Sequence, residues 1–247
     1  MSEITVVIPV YRGKDTLPAA LDSALQQEET KRVILVNDCS PEDMDAVVAP
    51  YLEDGRVTYL KNPRNMGAAE SRNRGVAAAD TEYIAFLDAD DIWEPGKLKK
   101  QLAVLEETGA VLCCTGRAIM DPNGRLTGRT IGVPEVISYR DLLKHNCVSC
   151  SSVVLRREAA LAHPMRHAAD SHEDYIMWLE ILKEYGSARG IDEPLLRYRA
   201  SNTGKSGSKL HSAKMTWRVY QHMGFGPVKA AACFISYAWH GVKKHYL

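Results

Sequence analysis

Residues 83–95 read "YIAFLDADDIWEP" and join an apolar run to a cluster of acids. The first five residues are aromatic or aliphatic, and their number is typical of a strand in the interior of a sheet. Three aspartates follow at once, Asp88, Asp90 and Asp91. Carboxylates this close together repel one another. The stretch therefore predicts a positive partner such as a divalent cation, unless single aspartates serve as caps of a turn or a helix.

Around this stretch, strands and helices alternate through the first 110 residues. Continuous aliphatic runs at 4–10 and 32–38 predict strands that are buried on both faces. The alternating pattern at 56–62 predicts a strand nearer the edge of the sheet, and 110–116 predicts a further buried strand. Such alternation with short links is typical of an α/β fold, with a mostly parallel central sheet flanked by helices.

Beyond residue 116 the pattern is looser. The turn sequence at 121–124 predicts a hairpin or a loop excursion, and 148–157 predicts a return strand. Residues 171–186 predict a helix with an apolar face that ends at its glycine.

The composition is that of a globular protein, with 247 residues of which 45% are hydrophobic and 25% are charged. The formal net charge of zero hides an asymmetry, because no Asp or Glu follows Glu193 whereas nine Lys or Arg residues do. A basic tail usually meets phosphate, nucleic acid or membrane headgroups. The six cysteines lack the spacing of a disulfide framework, and the sequence shows neither a signal peptide nor a long uncharged apolar run. We therefore expect a cytoplasmic protein with reduced thiols.

Polar side chains follow the first, second and fourth predicted strands, at Tyr11, Asp38 and Asp88. Ligands of parallel α/β sheets bind outside the carboxyl ends of the strands. No Gly-x-Gly-x-x-Gly follows the first strand, so a dinucleotide site is poorly supported. Mg²⁺ or Mn²⁺ takes one or two protein carboxylates and leaves its other positions for substrate phosphates. The acids after the fourth strand therefore predict such a metal site, with a structural cap as the alternative for each aspartate.

Four segments occur together and in order: "ITVVIPVYR" (4–12), "VILVNDCS" (33–40), "NMGAAESRNRGVAAADTEYIAFLDADDIWEPGKL" (65–98) and "HEDYIMWLEIL" (172–182). In these segments the chain resembles the family 2 inverting glycosyltransferases, of the type that builds bacterial polysaccharides and lipid-linked glycans. The resemblance covers roughly residues 3–200. It implies the GT-A fold, which binds nucleotide-diphosphate sugars, with a C-terminal helical extension. It also implies a catalytic domain over 1–204, whose halves 1–116 and 117–204 bind the donor and the acceptor.

The resemblance implies a donor site in which Tyr11 and Asp38 hold the nucleobase, most often uracil. It implies that Asp88 approaches the ribose or sugar, and that Asp90, with Asp88 beside it, binds the Mn²⁺ or Mg²⁺ that bridges the diphosphate. It further implies that Arg72 and Asn73 either orient the sugar or brace the loop. Arg12 stands where the family commonly has Asn, which leaves its role open. The donor-binding residues are expected to be Pro9, Tyr11, Asp38, Arg72, Asp88 and Asp90.

A second chemical centre is expected at the start of the helix at 171–186. An inverting transferase needs a base that takes the proton of the acceptor hydroxyl. The resemblance assigns this role to Asp174, with Glu173 holding the acceptor or positioning the base and His172 as an adjunct. The alternative is structural, because acids in the first turn of a helix favour its dipole.

A basic loop is expected to offset the charge of the departing diphosphate. Arg199 and Lys205 are the candidates, because related enzymes often carry a mobile basic or His-containing loop at this place. The His that commonly follows the second Arg is absent, and Ala200 and Ser201 stand there. A solvated basic loop is the alternative.

The segment 227–247 has apolar residues at helical spacing, interleaved with Lys and His, and belongs to a basic extension over 205–247. An amphipathic helix of this kind suits an anionic membrane surface. Packing on the catalytic domain, or contact with a second copy in a homodimer, are the alternatives. The absence of acids after Glu193 favours the membrane over the two alternatives. The expected location is the inner face of the cell membrane.

Together these features predict a metal-dependent inverting glycosyltransferase of surface polysaccharide biosynthesis. It would move a hexosyl or N-acetylhexosaminyl group from a UDP-sugar to a glycan or lipid-linked acceptor, and no nucleic-acid partner is expected. A nucleotidyltransferase is one alternative, but it would normally show a Gly-rich basic loop after the first strand, where only Gly13 and Lys14 stand. A non-catalytic sugar-nucleotide-binding protein is the other, and the presence of Asp174 argues against it.

Overall fold

The computed structural model of the chain describes residues 3–166, 171–200 and 209–246. Its strands are β1 Ile4–Val10, β2 Thr30–Asn37, β3 Val57–Lys61, β4 Tyr83–Phe86, β5 Ile92–Trp93, β6 Leu112–Met120, β7 Leu126–Ile131, β8 Val136–Ser138, β9 Val154–Arg156 and β10 Ser187–Arg199. Its α-helices are α1 Leu17–Leu25, α2 Met44–Val48, α3 Ala68–Ala78, α4 Lys97–Thr108, α5 Tyr139–Lys144, α6 Arg157–Ala162, α7 Glu173–Tyr185, α8 Lys209–His222 and α9 Pro227–Tyr246. Short 3₁₀ turns lie at Ala49–Glu53 and Cys150–Ser152.

These strands form one sheet in the order β3-β2-β1-β4-β9-β6-β10-β5, with β7 paired to β6 and β8 paired to β10. The first four strands are parallel, as the sequence predicts, and β3 lies at the edge. The second half is mixed, because β9 runs antiparallel to both β4 and β6 whereas β10 is parallel to β6. The sheet thus joins a parallel half to a mixed half through β9.

The return strand predicted at 148–157 is shorter in the structure. Only Val154–Arg156 pairs as a strand, and a 3₁₀ turn at Cys150–Ser152 precedes it. The turn forms because the backbone N–H and the hydroxyl of Ser152 both donate to the carbonyl of Ser149, at 2.9 and 2.7 Å. The shortened strand leaves the turn beside the end of β4, where the acids follow.

The sheet separates two apolar cores, because successive residues of a strand point to opposite faces. On one face, Val7, Ile34 and Phe86 pack with residues of α3 and α7. On the other face, Ile8 and Leu35 pack with residues of α1 and α4. Helices thus cover both faces of the sheet, which confirms the α/β fold that the sequence predicts.

Helix α3 packs unusually close to β1. A Cβ atom added at Gly75 would lie 2.3 Å from Cγ1 of Val7, a buried residue of the central strand. The glycine therefore sets how closely the helix approaches the sheet.

Replacing Gly75 by Ala is expected to lower the free energy of unfolding by about 1–3 kcal/mol, because overpacking a buried contact outweighs the gain in helix propensity. Urea denaturation measures this change. Gly55→Ala is the matched control, since a Cβ atom added at Gly55 would meet no other atom within 4 Å. Equal stabilities of the two variants would contradict the close packing.

Helix α9 packs one face on the main core. Ala230 is buried, and Cys233, Phe234 and Tyr237 pack against the core cluster that holds α7. One alternative for the C-terminal segment was packing on the preceding part of the chain, and this face of α9 packs in that way. Within the described residues, no helix has both the length and the apolar character that crossing a bilayer requires.

Candidate active site

A cleft of about 760 Å³ opens at the edge of the sheet where β1, β2 and β4 end. Since parallel strands end at the same edge, side chains that are distant in sequence meet there. The cleft is lined by every residue expected to bind the donor and by one of the two expected diphosphate residues. These are Pro9, Tyr11, Asp38, Arg72, Asp88, Asp90 and Arg199. The other diphosphate candidate, Lys205, lies outside the described residues.

Asp38 follows β2 and is buried, with 2% of its surface exposed. Its Oδ1 accepts hydrogen bonds from Asn62 Nδ2 at 2.7 Å and from the N–H of Met66 at 2.8 Å. Its Oδ2 accepts from the N–H of Gly67 at 2.8 Å, just before α3. The carboxylate therefore holds the loop that leads into α3, in addition to lining the cleft.

Replacing Asp38 by Ala is expected to lower the free energy of unfolding by about 3 kcal/mol or more, because three donors lose their acceptor and buried unsatisfied groups each cost about 1–3 kcal/mol. Chemical denaturation measures the loss. Asp80→Ala is the control, since Asp80 is exposed and forms an ion pair with the side chain of Arg32 at the surface. If the Asp38 variant kept the wild-type stability but bound UDP more weakly, the carboxylate would serve to bind the nucleobase and not to hold the loop.

Arg72 lies in α3 with 6% of its surface exposed and forms an ion pair with Asp88. Its second terminal nitrogen lies 3.9 Å from the sulfur of Met165. Burial is the largest influence and by itself would lower the pKa of the guanidinium, but the charge of Asp88, its hydrogen bond and the nearby charge of Glu173 act together against it, and the pKa is raised. Arg72 therefore stays charged and holds the first aspartate of the cluster. The neighbouring Asn73 braces the chain at Met165, with its side chain bonded to both the N–H and the carbonyl.

The next two aspartates differ in their surroundings. Asp90 is half-buried at the cleft, and burial together with the charge of Asp88 raises the pKa of its carboxyl. Asp91 is buried, and its Oδ1 accepts from the N–H of Arg199 at 2.9 Å, which ties the acidic loop to β10. Asp90 therefore faces the cleft, whereas Asp91 makes a structural contact with β10.

A divalent cation fits the acids that line the cleft. Within 3–166, 171–200 and 209–246, no three His, Cys, Asp or Glu side chains are grouped to enclose a metal. Mg²⁺ and Mn²⁺ do not require such a group, because one or two carboxylates suffice when substrate phosphates complete the coordination. The raised pKa of Asp90 marks a carboxylate whose charge is poorly compensated by the protein. Asp90, with Asp88 beside it, therefore fits a cation that arrives with a diphosphate.

Arg199 ends β10 beside the acidic loop. Its Nε donates to the carbonyl of Asp90 at 2.9 Å, and one terminal nitrogen donates to the carbonyl of Pro122 at 3.1 Å. The side chain thus joins the acidic loop to the hairpin between β6 and β7, and both lie at the cleft. Its positive charge is available to a bound phosphate at this edge.

The acids of the second centre stand in the first turn of α7. Asp174 is half-buried, and its Oδ1 accepts from the N–H of Tyr175 at 2.8 Å. Burial, together with the charge of Glu173, raises the pKa of the Asp174 carboxyl. His172 is the N-cap residue of the helix and makes no side-chain cap bond. The three residues do not line the cleft, so the donor residues and the expected base belong to adjacent rather than identical surfaces.

Cys150 connects the two centres, which the sequence alone does not indicate. Burial raises the pKa of its thiol well above the usual range, and the charges of Arg72, Asp88 and Asp174 all act on it. The next residue, Ser151, accepts a hydrogen bond on its hydroxyl from the N–H of Asp88 at 3.1 Å. The 3₁₀ turn at Cys150–Ser152 thus lies within electrostatic reach of both acidic centres. The only sequence signal was the small, polar character of this turn.

The end of β1 carries a strained residue. Arg12 has φ 66°, in the left-handed region that residues other than glycine seldom adopt. Its N–H donates to the hydroxyl of Ser40 at 3.0 Å, and its guanidinium lies 5.7 Å from the centre of the Tyr11 ring. Both side chains line the cleft. Tyr11 is 48% exposed, so its ring is open to a ligand.

Comparison with known sequences places the chain among sugar-transferring enzymes. The model of the family described as Glycosyl transferase family 2 matches residues 5–162. TuaG of Bacillus subtilis (strain 168), whose name provisionally assigns it a glycosyltransferase role in teichuronic acid biosynthesis, is 33% identical over 244 residues, which are 98% of this chain and 96% of TuaG. WfgD of Escherichia coli, named a UDP-Glc:alpha-D-GlcNAc-diphosphoundecaprenol beta-1,3-glucosyltransferase, is 30% identical over 243 residues, 98% of this chain and 94% of WfgD.

Solved structures have the same fold. Residues 1–349 of TarS from S. aureus, in complex with UDP-GlcNAc, match with a TM-score of 0.73 at 15% identity, over 96% of this chain and 71% of that TarS fragment. The mannosyltransferase PcManGT from Pyrobaculum calidifontis, in complex with GDP-Man and Mn²⁺, matches with a TM-score of 0.71 at 15% identity, over 96% of this chain and 69% of the other. This likeness confirms the GT-A type of α/β fold that the resemblance implies.

Proposed function

The chain belongs to glycosyl transferase family 2, and from this premise we propose that it transfers a sugar with inversion from a UDP-sugar to a lipid-linked saccharide. The proposed product is a bacterial surface polysaccharide, and the proposed sugar is a hexosyl or N-acetylhexosaminyl group. The observation that carries the proposal is the cleft, where the ends of three parallel strands bring all six expected donor residues together.

The proposed donor is supported by two comparisons. The name of WfgD specifies UDP-Glc, and TarS was crystallised with UDP-GlcNAc. In this chain the exposed ring of Tyr11 offers a stacking surface for the base, beside Asp38. Arg72 keeps Asp88 in place toward the sugar through their ion pair. The proposed acceptor, a saccharide on a lipid diphosphate, follows the name of WfgD.

A divalent cation, Mn²⁺ or Mg²⁺, would supply charge neutralisation of the departing diphosphate when held by Asp90 and Asp88. Arg199 would add a second positive charge from the other side of the acidic loop. The presence of Mn²⁺ in the PcManGT complex supports this part of the proposal.

The proposed chemistry is a single displacement at the anomeric carbon of the donor. The acceptor hydroxyl oxygen forms the new bond to C1 while the bond from C1 to the β-phosphate oxygen breaks, and UDP leaves with that electron pair. Asp174 takes the proton of the hydroxyl, which requires its carboxylate form. Because burial and Glu173 raise the pKa of Asp174, its carboxylate is a stronger base than an exposed aspartate.

Calorimetry with UDP and Mn²⁺, followed by an assay of UDP release, tests the proposal. We expect UDP to bind more tightly with Mn²⁺ than with EDTA. We also expect UDP-glucose or UDP-GlcNAc to release UDP when a saccharide on a polyprenyl diphosphate is added. Release of diphosphate from a nucleoside triphosphate would favour a nucleotidyltransferase instead. Binding of UDP without release from any UDP-sugar would favour a non-catalytic sugar-nucleotide-binding protein.

A further inference from the structure

Helix α9 has a buried face and an exposed apolar face. Its buried face holds Ala230, which is 1% exposed, and Phe234, whose ring meets Trp217 of α8 edge-on at 5.9 Å. Its outward face holds Val228 and Ile235, which are 84% and 69% exposed. The two are seven residues apart and therefore lie on one side of the helix.

These two side chains are the most exposed large apolar residues in the described part of the chain, where the others reach at most 55%. Ala232 lies exposed between them, three residues before Ile235. Water contact of aligned aliphatic side chains is unfavourable by about 25 cal/mol per Å². The outward face of α9, defined here by Val228, Ala232 and Ile235, therefore has the character of a contact surface.

Charge indicates what covers this face. Helix α9 contains no acidic residue and has three lysines, Lys229, Lys243 and Lys244. Lys229 is exposed beside Val228, and its Nζ lies 3.9 Å from the centre of the Phe225 ring. A second copy of this chain would bring the same positive charge to the face and be repelled. An exposed apolar stripe on a helix that carries lysines and no acids is the pattern of a helix that lies in the headgroup region of an anionic bilayer.

The same helix packs beside the residue that follows the expected base. The ring of Tyr237 in α9 lies 6.2 Å from that of Tyr175, the residue after Asp174, and 6.1 Å from that of His145. Burial raises the pKa of Tyr237, and the charge of Asp174 contributes to the rise. One side of α9 thus neighbours the acceptor centre while its other side faces outward.

We propose that the outward face of α9 docks the enzyme on an anionic lipid bilayer, so that a membrane-borne acceptor reaches the surface around Asp174. The acceptor part of this inference rests on the proposed function, whereas the docking part does not. The face inserts its aliphatic side chains among the headgroups, and the basic C-terminal region attracts the anionic lipids.

Sedimentation with vesicles tests the docking. Vesicles of phosphatidylglycerol and phosphatidylcholine are expected to bind the wild-type chain, and vesicles of phosphatidylcholine alone to bind it at least about 10-fold more weakly. The double variant Val228→Glu/Ile235→Glu is expected to lose at least about 10-fold in partitioning to the anionic vesicles. Leu52→Glu/Leu161→Glu is the matched control, because these residues are 48% and 45% exposed elsewhere on the surface. The control is expected to bind like the wild type.

The docking would be overturned if the α9 variant and the control partitioned equally to anionic vesicles, or if the wild-type chain bound neutral and anionic vesicles equally. It would also be overturned if sedimentation velocity without vesicles showed a dimer for the wild type and a monomer for the α9 variant. A readout of UDP release separates this proposal from the proposed function. With a water-soluble acceptor analogue, the α9 variant is expected to turn over like the wild type, and with acceptor in anionic vesicles to lose activity. A wild-type chain that binds vesicles but releases no UDP would contradict the proposed function and leave the docking supported.

Discussion

Replacing Asp174 by Asn is expected to lower kcat by roughly 10³-fold, because general-base catalysis contributes about 10²–10⁴ and the amide cannot take the acceptor proton. The Kd for UDP with Mn²⁺ is expected to stay unchanged, since Asp174 does not line the donor cleft. Single-turnover UDP release measures the first quantity, and calorimetry measures the second. The variant is also expected to be at least as stable as the wild type at neutral pH, because it removes a carboxylate whose ionisation is opposed by burial.

The pH dependence gives a second signature of Asp174. Its raised pKa means that the carboxylate form is lost as the pH falls through a value above the usual 3.8 of aspartate. Activity should therefore fall on the acid side at a higher pH than an ordinary aspartate would give. This acid limb should disappear in the residual activity of the Asn variant.

Glu184→Gln is the matched control for Asp174, because it neutralises an acid at the other end of the same helix, where Glu184 pairs with His163. It should keep the wild-type kcat and the wild-type pH profile. Unchanged turnover of the Asp174 variant, or an equal loss in the Glu184 variant, would show that Asp174 is an acid of the helix N-terminus without a catalytic role.

Replacing Asp90 by Ala is expected to abolish the metal-dependent part of UDP binding. A carboxylate–metal contact is worth several kcal/mol, so the Kd measured with Mn²⁺ should rise by roughly 100-fold or more. The Kd measured with EDTA should change little, because Tyr11 and the other residues expected to bind the nucleotide remain in the cleft. Titration calorimetry with and without Mn²⁺ measures both values.

Protons compete with the cation at Asp90. Burial and the charge of Asp88 raise the pKa of this carboxyl, so the affinity for Mn²⁺ should weaken as the pH falls, starting above the usual range of aspartate. Asp45→Ala is the control, since Asp45 is exposed and pairs with Lys61 away from the cleft. If Mn²⁺ strengthened UDP binding equally in the Asp90 variant and the control, the metal would have to be held elsewhere.

Much of the lining of the cleft could be predicted from the sequence. Tyr11, Asp38 and Asp88 directly follow buried strands, and apolar runs mark those strands without reference to the rest of the chain. Parallel neighbours then end at one edge, as the pairing of Val10 with Asn37 shows. The expected cluster of donor residues follows from these two local facts.

The relation between the donor residues and the second centre could not be predicted in this way. The 3₁₀ turn at Cys150–Ser152 replaces part of an expected strand, and it places Cys150 near both Asp88 and Asp174. This arrangement depends on β9 running antiparallel between β4 and β6. Residue patterns within one segment hold no information on which strands become its neighbours.

The sequence by itself indicated the main alternation of strands and helices through residue 110 and the positions where acids emerge from buried strands, because burial imposes periodic patterns on each segment. Its motifs also indicated the family. Only the tertiary structure decided what each polar group does. It turned Asp38 toward donors 24 to 29 residues away, and it divided α9 into a buried face and an exposed one. The acids of residues 83–95 likewise became distinct, because Asp88 meets Arg72, Asp91 meets β10, and Asp90 faces the cleft. Hydrogen bonds and charge pairs depend on distances between segments, and those distances exist only once the chain has folded.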